Sequence, residues 1–193
     1  MSESDYAALA AAPLLKIIRN ITGDQLGNPT PCAEFDVRRL LNHLLFWGPS
    51  LEGAARKESV PPPAENEAEV DLLSGDWAAA LESQLDRIAT AWSAPAAWQG
   101  MTHMGSPMEL PAPLIGGMVV GELMVHAWDL ARATGQDPQW DADLLAYAYR
   151  ETAATAEQGR QMGIYGPEVP VPETDPLLSR LVGVTGRDPH WTA

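Results

Sequence analysis

The stretch Gly121-Glu-Leu-Met-Val-His-Ala-Trp-Asp-Leu130 decides how the chain folds and where its chemistry sits. It is apolar and helix-forming, yet it carries Glu122, His126 and Asp129. At about 3.6 residues per turn, Glu122 and His126 leave the same helical face. Asp129, seven residues after Glu122, leaves the same side. The flanking residues predict a helix over 112–134 that stops at Gly135, a good C-terminal cap. Ile115, Met118, Val119, Glu122, His126, Asp129, Leu130 and Ala133 form one seam along it. A carboxylate on such a seam is costly without a partner, so Glu122 calls for a metal ion, a basic side chain or hydrogen-bond donors. The one basic residue nearby in the same segment, Arg132, faces elsewhere.

Two readings of this pair follow. A carboxylate and an imidazole stacked on one face can share a metal ion. Alternatively, Glu122 pairs with His126 or with an arginine from another helix as a structural hydrogen bond. His43 is a third candidate ligand, at the edge of an apolar face in the helix predicted over 36–57, beside Trp47. A set of two histidines and one glutamate leaves coordination positions open, the pattern of catalytic rather than structural zinc, and it also suits Fe2+ or Ni2+. Asp129 either orients His126 or pairs with an arginine between helices. Trp47 and Trp128 pack the core by default and line a pocket as the second reading. His103, in an irregular segment, and His190, in the tail, are expected at the surface. Cys32 precedes a helix start, where a thiol pKa can fall, but with no paired base its plainer reading is a small half-buried apolar residue.

Outward from the central helix, Leu9, Leu14, Ile17, Ile18 and Ile21 give a first helix over 5–21, which Pro13 either kinks or starts. Residues 27–31 read as a turn-rich connector and 58–70, with Pro61-Pro-Pro63, as a long crossover without packed structure. A third helix is expected over 76–92 and a hairpin or irregular loop over 96–111. A fifth helix is expected from Asp141 to about 162, and a short one over 176–184 within a Pro-rich tail, 163–193. Four long amphipathic helices and one long crossover predict an all-α four-helix bundle with an extra helix, whose interior is where side chains of facing helices meet a metal.

The chain has 193 residues, enough for the single domain over 1–193 that is expected. Its 46% apolar and 20% charged residues are those of a globular protein. A net charge of −14, with no basic cluster, excludes nucleic acid and anionic membrane as partners by simple electrostatics. No apolar run reads as long enough to span a bilayer, and the start Met-Ser-Glu-Ser-Asp lacks the features of a signal peptide, so a cytoplasmic protein is expected. A single cysteine excludes an internal disulfide. There is no Gly-rich phosphate loop, Gly-x-Ser-x-Gly elbow or Cys-x-x-Cys pair. The expected assembly is a monomer or homodimer.

The run Pro29-Thr-Pro-Cys-Ala-Glu-Phe-Asp-Val-Arg-Arg-Leu-Leu-Asn-His43 resembles a signature of the mycothiol-dependent maleylpyruvate isomerase N-terminal-like proteins, of the DinB-like superfamily of metal-binding four-helix bundles. Glu122-x-x-x-His126-Ala-Trp-Asp129-Leu130 resembles their second element, and the tail segments Tyr165–Pro172 and Gly186–Trp191 resemble a single-domain actinobacterial branch. The resemblance implies that His43, Glu122 and His126 bind one divalent metal, Zn2+ first and Ni2+ or Fe2+ otherwise. It also implies a low-molecular-weight thiol such as mycothiol, presented to a small electrophile by a transferase or isomerase-like enzyme. The isomerases carry a further C-terminal domain that contributes to the active site, whereas here only a Pro-rich tail follows the bundle. Maleylpyruvate isomerisation itself is therefore not expected. The competing expectation is a non-catalytic metal- or ligand-binding bundle with a stress or regulatory role.

Overall fold

The computed structural model describes residues 2–192; the ends of the expected domain, Met1 and Ala193, lie outside the described residues. Helices α1 (Glu3–Arg19), α2 (Val37–Ala55), α3 (Trp77–Trp92) and α4 (Ala112–Thr134) form the bundle, with α5 (Ala142–Gln161) and α6 (Leu177–Val184) following. Strands β1 (Met101–His103) and β2 (Glu109–Pro111) make a small antiparallel hairpin before α4, with Met101 opposite Pro111. The fold is therefore the expected all-α bundle, with the hairpin alternative realised over 101–111.

Local chemistry sets the helix limits. The Asp36 carboxylate accepts the Arg39 N–H at 2.8 Å and the Asp76 carboxylate accepts the Ala79 N–H at 3.1 Å, satisfying donors that the first turns of α2 and α3 leave free. Gly135 ends α4 at φ 71, a left-handed conformation that costs glycine little. Asp141 stands at the N-cap of α5, although its side chain makes no capping bond. Pro13 neither starts nor ends α1, which runs through it, and α2 likewise runs through Pro49.

In the bundle α1 packs on α3 and α4, and α2 packs on the same two helices; α5 then packs on α4 and α6 on α5. Leu14 and Ile18 of α1, Leu40 and Leu41 of α2, Leu81, Leu85 and Ile88 of α3, and Ile115, Leu123 and Met124 of α4 are all fully buried between the four helices. Having neighbours on several sides, α4 is buried almost all round rather than along one seam, as a helix at the centre of a fold must be. This corrects two expectations. Helix α4 is not simply amphipathic, and by length and composition it could cross a membrane. However, 83% of its most apolar window is buried inside the bundle, so that apolarity serves the core.

The crossover also departs from expectation. Residues 67–69 form a 3-10 turn that docks on α2. The Asn42 amide donates to the carbonyls of Glu67 at 3.4 Å and Val70 at 3.1 Å, and its oxygen accepts the Leu72 N–H at 2.7 Å. One buried-edge asparagine thus anchors a segment whose Pro- and Glu-rich composition predicts no packing.

Candidate metal centre

Helices α2 and α4 face each other, and their contact brings His43 opposite Glu122 and His126. The His43 Nε2 lies 2.9 Å from Glu122 Oε1, and the His126 Nε2 lies 3.2 Å from that same oxygen. One ligand atom from each of the three residues lies within 4.8 Å of the others. The imidazole rings meet edge to face, with centroids 5.2 Å apart.

The other ring nitrogens are held as well. His43 Nδ1 lies 2.9 Å from Glu67 Oε2, and His126 Nδ1 lies 3.0 Å from Asp129 Oδ2. Asp129 is 0% exposed and accepts from Arg187 Nη2 at 3.1 Å and Nε at 3.4 Å. Asp129 therefore fills both roles weighed for it, orienting His126 and pairing with an arginine. That arginine comes from the tail after α6 and not from another bundle helix. Likewise the Glu122–His126 contact, weighed as a structural hydrogen bond, coexists with the convergence of His43.

The donor set suits a divalent cation. A carboxylate on each Nδ1 favours the tautomer that carries its proton there, which leaves both Nε2 lone pairs aimed at an anionic oxygen. That arrangement repels itself unless positive charge sits between them. The formal charges of Glu67, Glu122 and Asp129 against that of Arg187 leave an excess of two negatives, matched by two imidazole protons or by one divalent ion. Two ligands about 2.0–2.1 Å from a tetrahedral ion stand about 3.3 Å apart, close to the spacings of 2.9 and 3.2 Å.

The titration of these groups expresses the same demand. Burial by itself lowers the His43 pKa, but hydrogen bonds to Glu122 and Glu67 outweigh it and raise it to about 10. In His126 burial is again opposed, by the Glu122 charge and by Asp129, and the pKa rises. Burial pushes the Glu122 carboxyl up, but His126 and then His43 hold it well below the usual range.

The surroundings are partly apolar and partly open. The Phe35 ring lies 5.0 Å from His43, while 27% of the Glu122 side chain stays accessible. Trp47 is half-buried, and Trp128 is buried with the Arg132 guanidinium 6.0 Å from its ring centre. Cys32 is half-buried; burial pushes its thiol up, Arg187 opposes that and Asp129 adds to it, so the region is adjacent without activating the thiol. His190 is exposed as expected. His103 is not; it is half-buried in β1, and its shielded Nδ1 has no partner among the described residues. Glu67 and Arg187 were not singled out as site residues in the sequence. The signal for Glu67 is that His43 needs an Nδ1 acceptor and the acidic crossover carries several carboxylates.

A bundle whose facing helices aim two imidazoles at one glutamate oxygen, each braced by a further carboxylate, defines a class of helical-bundle proteins with a His/Glu/His cluster between their helices. Comparison with known proteins makes the class specific. A family profile described as the mycothiol maleylpyruvate isomerase N-terminal domain matches residues 7–131, and the chain belongs to that family. Uncharacterized proteins from two strains of Mycobacterium tuberculosis are each 32% identical over 176 residues, covering 89% of this chain and 90% of the relative. Crystal structures of the mycothiol-dependent maleylpyruvate isomerase and of a histidine-to-alanine mutant of it align with a TM-score of 0.62 at 16% identity. They cover 86% of this chain and 72% of the solved chain, a likeness of fold.

Proposed function

We propose that this protein is a divalent-metal-dependent enzyme of the thiol transferase or isomerase-like type. It uses a low-molecular-weight thiol of the mycothiol kind on a small electrophile in the cytoplasm. The observation that carries the reading is the convergence of two braced Nε2 atoms on one glutamate oxygen. Family membership and the shared fold supply the thiol's identity as a candidate.

His43, Glu122 and His126 would hold the ion. Bound there, a divalent ion supplies the positive charge that keeps a thiol in its nucleophilic thiolate form near neutral pH. The protein's own residues do the rest. Glu67 and Asp129 fix the two rings with their Nε2 lone pairs inward. Phe35 covers one flank of His43 and limits water there. The accessible side of Glu122 is where a small substrate reaches the cluster, and this accessibility favours a catalytic over a closed structural site.

The test is thiol conjugation across a panel of small electrophiles, with zinc-loaded protein and mycothiol or a close analogue. Conjugation is expected, and it disappears in His126→Ala and on chelation. Absence of conjugation across the panel by fully loaded protein would overturn the enzymatic reading.

A further inference from the structure

We propose that residues 163–192 act as a latch on the His43/Glu122/His126 cluster, with Arg187, through Asp129, as the positioning residue that fixes His126. The inference rests on the cation-site reading above and extends it to a segment 58 residues from Asp129 in sequence.

The latch begins with a backbone crossing. Gly186 has φ 86, and a Cβ placed on it would lie 2.8 Å from the Cα of Gly166, so the two chain segments touch where no side chain fits. A hydrogen bond ties the crossing down, from the Val169 N–H to the Gly183 carbonyl at 3.0 Å. The Arg187 N–H donates to the Val182 carbonyl at 3.0 Å and closes the turn after α6. The crossing delivers Arg187 to the site with its guanidinium already constrained. Its Nη1 donates to the Thr185 carbonyl at 2.9 Å, leaving Nη2 and Nε for Asp129.

At the other end, Asp129 Oδ2 meets both Arg187 Nη2 and His126 Nδ1, so the position of the guanidinium sets the position of the oxygen that orients the ring. Arg187 itself is only 6% exposed. A second tail contact grips the same helix, where Arg132 Nη2 donates to the Trp191 carbonyl. Tyr165, beside the crossing, is half-buried, and its hydroxyl is pushed up to about 12 by burial with the Glu122 charge adding to it. Helix α6 packs on α5; it is the segment after α6 that reaches α4.

Residues that orient a metal-ligating histidine typically alter metal affinity by about 10–100-fold when removed. Coupling between two equilibria is reciprocal, so a docked tail that strengthens metal binding is itself held more firmly when metal binds. Neither effect follows if the tail merely covers apolar surface.

The experiment measures zinc affinity by competition with a chelating dye, and amide hydrogen exchange of tail peptides with and without zinc. Arg187→Gln is expected to weaken zinc binding about 10–100-fold, and Arg187→Lys to recover part of it. Gly186→Ala touches no ligand and separates the crossing, and it is expected to weaken binding in the same direction. Gly75→Ala imposes similar backbone strain at φ 62 in open space and is expected to leave affinity unchanged. Zinc is expected to slow tail exchange in the wild-type protein. Circular dichroism identifies any variant that fails to fold, and the folded ones decide. If the wild-type protein binds zinc while Arg187→Gln and Gly186→Ala bind it within twofold as tightly, the latch is overturned and the cation site stands. Tail exchange unaffected by bound zinc also overturns it. A wild-type protein that takes up no zinc overturns both.

Discussion

Asp129→Asn is nearly isosteric and removes one charge from the centre of the site. Asp129 is fully buried and lies 3.1 Å from a buried guanidinium. At that distance an effective dielectric of about 20 gives a gross attraction of about 5 kcal/mol. Deleting one partner of a buried pair typically costs about 3–5 kcal/mol, because the remaining charge is left uncompensated. Part of this cost is recovered by the amide oxygen, which still accepts a hydrogen bond, so a loss near the lower end, about 3 kcal/mol, is expected. A second effect is independent of folding. The amide holds the His126 ring less firmly, and zinc affinity falls by about 10–100-fold. Urea unfolding in the presence of chelator measures the first effect, and zinc competition on folded protein measures the second. A variant within about 1 kcal/mol of wild-type stability that also binds zinc within twofold as tightly would refute the claim that Asp129 links Arg187 to His126.

The remaining predictions concern pH, the crossover and the cysteine. In chelator-treated protein, His43 has a folded pKa of about 10 against 6.5 for the free side chain. Its contribution to stability is fully present below pH 6.5 and is lost as pH rises toward 10; that of Glu122, whose pKa is lowered from 4.5, is lost as pH falls below that value. The melting temperature of the stripped protein is therefore expected to fall from pH 6.5 to 9. Zinc competes with those protons, so the stabilisation it adds widens over the same range; a zinc increment independent of pH would count against proton competition at the cluster. Glu67→Gln keeps the shape of the crossover but removes the His43 charge partner, and about tenfold weaker zinc binding is expected by the same competition assay. Unchanged affinity there would show that Glu67 only anchors the crossover. Cys32, with its thiol pushed up by burial, is expected to alkylate more slowly at pH 7.5 than a free peptide thiol, a comparison that mass spectrometry reads directly.

The parts of this architecture legible in sequence are those written by local periodicity. Helix α4 could be bounded because its apolar run ends at a glycine that adopts positive φ, and the Glu122–His126 spacing needs only helical geometry. His43 was legible for a similar reason, as a polar residue at the edge of the apolar face of α2. Glu67 and Arg187 escaped because their roles depend on contacts across 24 and 58 residues, made by segments whose Pro and Gly content argues locally against packing. Nothing in the short range distinguishes a crossover that dangles from one that Asn42 pins to α2, or a tail that trails from one that two glycines fold back on the bundle. The seam read on α4 is buried, but so are its other faces: amphipathic pattern reports one buried face, whereas a central helix has several.

The most direct test of the central claim is a count of metal ions. Wild-type protein purified without chelator, exposed to excess zinc and freed of loose ions, is analysed by elemental mass spectrometry beside Glu122→Ala treated identically. The account predicts about one zinc ion per wild-type chain and a near-complete loss in Glu122→Ala, which removes the shared ligand of a three-ligand site. A wild-type chain that retains far less than one equivalent, or a variant that retains as much as wild type, would contradict the assignment of His43, Glu122 and His126 as the cation site.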